Sequence, residues 1–376
     1  MDKIKSTGLK LGLAILGLVI YAIPWITRNH IYQITMTASD AQAHSNVIDA
    51  FTNGTGTPIL YPAQAVFGFI LGSINKIFHA PPIAVFVVFS YVALVGVGFT
   101  IYYVVSRLTR TSVSGFLAVL VTILCTTSIL VFFLYGTIYN LIDMYIVLPF
   151  AVFCLVKWLA NKRVVYLVGG LLIVALFSSL HLVSIYIPYT VATIVAGLIV
   201  YSIVTRRNTR YFIGTALLVL AVNLVFSWLF LRNQLLPLVA SVVANADTTV
   251  RETNQWAGYL YQMTWVYLTP KVLVLGLLTA ITMVLYRKHL VIKAEAKYLI
   301  CIVGALALVL VAGGILGVSG YPGRVMLDAS TVVALSIALG MGELWQVKKV
   351  DLSWFKVSSL AVIGVSVVLT LIEWMR

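Results

Sequence analysis

Apolar runs of about 18–22 residues recur along the chain, broken by short polar stretches. At 1.5 Å rise per residue, each run covers the roughly 30 Å hydrocarbon core of a bilayer. In lipid every backbone N–H and C=O must be paired internally, so such runs are expected to be helices. The pattern predicts spans at 8–25, 83–105, 114–133, 141–159, 164–182, 184–204, 212–231, 272–286, 298–318, 326–344 and 354–374. The expected fold is all-α: a polytopic transmembrane helical bundle of about 11 spans in a single transmembrane domain, 1–376.

Segment 61–77 is also apolar, but it opens with Pro62 and carries Gln64, Ser73, Asn75 and Lys76. Counting Lys and Arg decides its role. If it does not span, Lys3, Lys5, Lys10, Arg107, Arg110, Lys157, Lys162, Arg163 and the later basic pairs share one side. That side then holds eighteen of the 25 basic residues. If it spans, fifteen of those eighteen move across, against the positive-inside bias. The segment is therefore read as an interfacial or re-entrant helix with Val66, Phe69, Ile70 and Ile77 on its apolar side. The N-terminus is then cytoplasmic and the C-terminus outside. Residues 26–82 form a long first outer loop with surface helices, and 232–271 a second long outer loop. Cleavage after Ala41-Gln42-Ala43 is the rival reading, but that site lies far past the first apolar run.

Composition agrees with a membrane protein: 61% hydrophobic and 10% charged, with mean hydropathy +1.05. The net charge of +14 follows the topology pattern and does not point to nucleic acid. Cys125, Cys154 and Cys301 lie inside apolar runs without metal-ligand spacing. The inner loops offer no nucleotide-binding glycine pattern.

Chemistry is thus expected on the outer side. Two of the 11 acidic residues, Asp40 and Asp49, fall within ten positions of the first outer loop. If 40–51 is helical, Asp40 and His44 share a face, beside an apolar face of Val47, Ile48 and Phe51. A carboxylate beside an imidazole suits acid/base work or metal binding. The plain alternative is a helix cap at Ser39 or Asp40 with a surface His44. Asp143 lies one turn into a span, where an ionisable group is costly unless it meets water or a partner. Its alternative is an interfacial Asp hydrogen-bonded to Tyr139 or Asn140. Arg324 follows the turn Gly320-Tyr321-Pro322-Gly323, at headgroup depth, where a guanidinium suits a phosphate. A salt bridge to Asp328 is the alternative there. His181 is expected to join helices by a hydrogen bond, and Asp247, Arg251 and Glu252 to be solvated.

The order of these features resembles the type C glycosyltransferases, the polytopic superfamily of protein mannosyltransferases, aminoarabinose transferases and oligosaccharyltransferase catalytic subunits. An acidic motif, Ser39-Asp40-Ala41-Gln42-Ala43-His44, follows the first span. A linker, Asn53-Gly54-Thr55-Gly56-Thr57, leads to Tyr61-Pro62, similar to the family's Tyr-Pro-Pro segment except for Ala63. Gly320-Tyr321-Pro322-Gly323-Arg324 resembles the stretch before a family arginine that contacts lipid phosphate. The architecture matches over about 1–345, the motifs over some thirty residues. The resemblance implies an enzyme moving a sugar from a polyprenyl-phosphate-linked donor to an acceptor on the outer face, in a bacterial cytoplasmic membrane. Asp40 would be the general base or hold a divalent cation (Mg or Mn), and His44 would orient Asp40 or contact the donor phosphate. Arg324 with Tyr321 would bind that phosphate, and Asp143 or Asp49 would supply a second acidic site. No Asp-x-Asp or Asp-x-Glu pair follows the second outer loop, unlike some members. A lipid-linked glycan flippase or transporter, or an inactive scaffold of the same architecture, stands as the alternative.

Overall fold

A computed structural model of the protein describes residues 39–55, 62–124, 138–180, 209–249, 269–290 and 322–375. These residues are helical throughout apart from short turns, and no strand occurs among them. In chain order the helices are α1 (Ser39–Asn53), α2 (Pro62–Phe78), α3 (Pro82–Thr109) and α4 (Ser112–Val119), which continues into a widened π-type turn, Leu120–Leu124. Next come α5 (Ile138–Ile142), a second π-type turn (Asp143–Val147), α6 (Leu148–Asn161), α7 (Val164–Leu180) and α8 (Thr209–Thr249). The last three are α9 (Thr269–Leu285), α10 (Pro322–Trp345) and α11 (Ser353–Met375). The expected spans 8–25, 184–204 and 298–318 lie outside the described residues, as do His181, Arg251, Glu252 and Tyr321.

Two helices, α3 and the Arg210–Phe230 part of α8, are long and apolar enough to cross a membrane, and shorter apolar helices pack around them. Apolar side chains fill the core of the described residues and also cover much of their surface. Val88, Val92, Leu217, Leu229, Leu277 and Val357 are exposed, while Ser90, Thr100, Asn223, Thr282 and Ser366 are buried. Exposed apolar faces of this extent suit a hydrocarbon surrounding or a protein partner, and the buried polar side chains find helix partners. Ser90, Thr282 and Ser366 each return a hydrogen bond to the carbonyl one turn back.

Close contacts fix the direction of each helix. Gly96 lies against Ile146, Tyr103 against Phe150 and Phe153, and the Lys157 ammonium within 3.5 Å of the Arg107 carbonyl, so α3 and α5–α6 run parallel. Between α7 and α8, Lys162 sits over Tyr211 at one end, while Asn223 donates to Ser178 Oγ at 2.7 Å further along; these also run parallel. Gly276 meets Ile337, and Gly340 meets Thr279 and Met283, so α9 and α10 are parallel as well. In each of the last two pairs the partners begin at the same end of the bundle.

Among the described residues, the basic turns that follow α3, α6, α9 and α10 consequently gather at one end. Arg110 closes α3 in a left-handed conformation (φ 59°), and Thr111 Oγ1 accepts from Val113 N–H to start α4. Lys162 closes α6 in the same way (φ 58°), its N–H donating to the Trp158 carbonyl. Trp158 Nε1 donates to Thr215 at 3.2 Å, tying in the start of α8. Gln346 reaches Ser114 Oγ at 3.4 Å, tying in the end of α10 beside Lys348 and Lys349. Gly342 makes this last contact possible: an added Cβ would stand 2.9 Å from the Ser114 Cα.

Candidate functional site at the opposite end

The far end of the bundle is built on α1 and α2. Gly54, at φ 70°, ends α1, with Thr55 N–H donating to the Ala50 carbonyl. The chain then returns as α2, which crosses α1 closely at Gly68 and Gly72. An added Cβ at Gly68 would stand 2.6 Å from the Phe51 ring, and one at Gly72 3.3 Å from the Ile48 carbonyl. This small-x-x-x-small spacing lets the two backbones approach. Thr52 Oγ1 donates to the Ile48 carbonyl and accepts from Asn75 Nδ2 at 3.0 Å, pinning the C-terminal part of α2 to α1. Val47 and Ile48 are buried, each worth roughly 2 kcal/mol of removed apolar surface. On the other side of α2, Val66, Phe69, Ile70 and Ile77 are all exposed, Ile77 by 71%. The residues expected on its apolar side are therefore the ones left partly or largely exposed.

His44 lies on the inward side of α1. It is 5% exposed, and its ring sits 5.4 Å from that of Phe86 near the start of α3. The crevice around it is lined by Val47, Ile48, Phe67, Leu71, Phe89 and Ile138, and has no space for a water. Burial in this hydrocarbon setting pushes the imidazole down to about 4. In this setting His44 is held as the neutral imidazole at neutral pH. No group of three or more His, Cys, Asp or Glu gathers among the described residues.

The other expected site residues divide by height. Asp40 stands in the first turn of α1, one turn before His44. Asp49 is on the exposed side of α1, where it accepts from Asn53 Nδ2 at 3.0 Å, away from the His44 crevice. Phe86 is 21 residues before Arg107, which puts the His44 level about 30 Å from the basic turns. Arg324 is 18 residues before Gly342, about 27 Å from the Ser114 contact. The helix starts that carry Asp40 and Arg324 are therefore at the same end of the bundle and at similar height. Asp328 lies one turn deeper. Asp143 falls between the levels of Phe86 and Gly96, below the crevice, because Ile138 lines that crevice and Ile146 meets Gly96.

Asp143 opens the π-type turn Asp143–Val147. Pro149 explains the widening: it has no N–H to offer the Tyr145 carbonyl, and its ring crowds that carbonyl. Such turns inside α-helices recur at functional positions. The segment expected as the outer loop 232–271 begins as helix: α8 runs on to Thr249 and includes Asp247.

Among the buried polar residues not singled out from the sequence are Glu343 and Asn223. Glu343, 8% exposed, lies in the last turns of α10 at the basic end. An acidic residue so close to the end of an apolar run was the available signal. Asn223, fully buried on α8, joins Ser178 and Ser227 in a hydrogen-bonded contact between α7 and α8. No family model and no curated protein matches the chain.

Proposed function

We propose that the protein is a multi-pass membrane glycosyltransferase of about 11 spans, with its basic turns in the cytoplasm. It would move a sugar from a polyprenyl-phosphate-linked donor to an acceptor on the outer face. Supporting this reading above all is the common height of the Asp40 and Arg324 helix starts, at the end away from the basic turns. Glycosyl transfer from a phosphate carrier needs a base on one side of the anomeric carbon and a stabilised leaving group on the other. Asp40 takes the proton from the acceptor hydroxyl as its oxygen attacks that carbon. The sugar–phosphate C–O bond breaks with inversion, and Arg324 with Tyr321 receives the charge left on the lipid phosphate. His44 is a positioning residue: its neutral ring locks α1 onto α2 and α3, which sets the height of Asp40. Asp143 is the second acidic group, reached from the same end.

The test is transfer in proteoliposomes supplied with polyprenyl-phosphate sugars. Asp40→Asn should lower turnover roughly a hundred- to ten-thousand-fold, the usual range for a lost general base, with unchanged thermal stability. Equal product from the variant and the wild type would remove the catalytic assignment.

A further inference from the structure

One exposed side of α3 carries Val88, Val92, Val95, Phe99 and Tyr103, spaced by three and four residues, and ends at Arg107. The Arg107 guanidinium carbon stands 5.4 Å from the centre of the Tyr103 ring. Across the groove, α6 brings up Lys157, whose ammonium lies 3.5 Å from the Arg107 carbonyl oxygen and 5.9 Å from the Phe153 ring centre. Tyr103 lies 5.8 Å from Phe153, which meets Tyr166 of α7 edge-on at 6.4 Å. Two cations thus cap an aromatic slot that opens onto an apolar stripe. The chain has no Asp or Glu between Asp49 and Asp143, or between Asp143 and Asp247, so these segments bring no acidic residue of their own to the groove.

We infer that Arg107 and Lys157 hold the phosphate of an anionic glycerophospholipid from the leaflet at the basic end. Its acyl chain lies over Tyr103 and Phe153 and along the α3 stripe. A planar guanidinium bonds two phosphate oxygens, and the ammonium adds a point charge beside it. Aromatic rings at this depth suit the boundary between headgroup and chain. The inference rests on the membrane reading but not on the transferase chemistry at the other end.

The test is native mass spectrometry of the full chain in detergent, titrated with phosphatidylglycerol, phosphatidylcholine or glycerol 3-phosphate. Phosphatidylglycerol should fill a first site that phosphatidylcholine and glycerol 3-phosphate fill poorly. Each cation at an anionic surface is worth about five-fold, so Arg107→Gln with Lys157→Gln should weaken that site about thirty-fold. Arg107→Lys with Lys157→Arg should keep most of it and show that the fold survives. Arg163→Gln with Lys288→Gln should leave it intact. Equal binding of the two lipids, an unaffected glutamine pair, or an equal loss in the Arg163/Lys288 pair would overturn the site while leaving the membrane reading in place. Retention of neither lipid would overturn both.

Discussion

The two ends of the bundle are held together by different means. At the basic end the chain turns in a residue or two, without glycine, at Arg110 and Lys162. Helices approach there to backbone contact at Gly342, and cations cover aromatic rings. At the other end, two helices outside the expected spans fold back on each other and lock by one neutral imidazole in an apolar crevice. The first end is a clamp built from short connections. The second is a hairpin whose place depends on a few side chains, and it carries Asp40, the base of the proposed reaction. A rigid scaffold that positions functional residues on its connecting segments is a common division of labour.

The contrast can be broken most severely at the clamp. Gly342→Leu would drive a side chain into the Ser114 backbone and should cost at least about 3 kcal/mol, seen as lost monodisperse protein and a lowered unfolding temperature. A mild effect would mean that α4 and α10 can separate cheaply.

The hairpin should respond to acid through His44. The folded value for His44, about 4, lies below its ordinary 6.5, so between these values the unfolded chain binds more protons than the folded one. The stabilisation is complete above pH 6.5, falls as pH drops toward 4, and totals about 3 kcal/mol. Hydrogen exchange of the α1 backbone amides should therefore rise across that window, and His44→Phe should flatten the rise. A pH profile identical in the variant would show that His44 is not the group responsible.

The smallest effect belongs to Lys162, whose ammonium sits 3.4 Å from the Tyr211 ring centre while burial lowers its proton affinity. Lys162→Gln should cost about 1 kcal/mol in thermal unfolding, and Lys162→Arg much less. Equal losses for both would assign the effect to the left-handed turn and not to the charge.

Much of the hairpin was legible in the sequence because its signals are local. The run from Asp40 with Val47, Ile48 and Phe51 predicted a helix, which forms over Ser39–Asn53, and Tyr61-Pro62 predicted the start of α2 at Pro62. The setting of His44 was not legible. Spacing paired it with Asp40, but Phe67, Phe86 and Ile138, which come from three other helices, decide its burial and charge. The continuation of α8 was missed for a related reason. Arg232-Asn233-Gln234 interrupts hydropathy but not helix formation, so an apolar-run criterion stopped at 231 where the helix runs on to Thr249. The turns at Arg110 and Lys162 carry no glycine to announce a left-handed residue; packing of the helices on either side imposes it.

Opposite sidedness of the two ends can be read directly with a membrane-impermeant maleimide on intact cells. Cysteine would be placed at Thr55 or at Arg110, both exposed, in a background lacking Cys125, Cys154 and Cys301. Labelling at position 55 in intact cells, and at position 110 only after permeabilisation, is the predicted result. Labelling of both positions from the same side would contradict it.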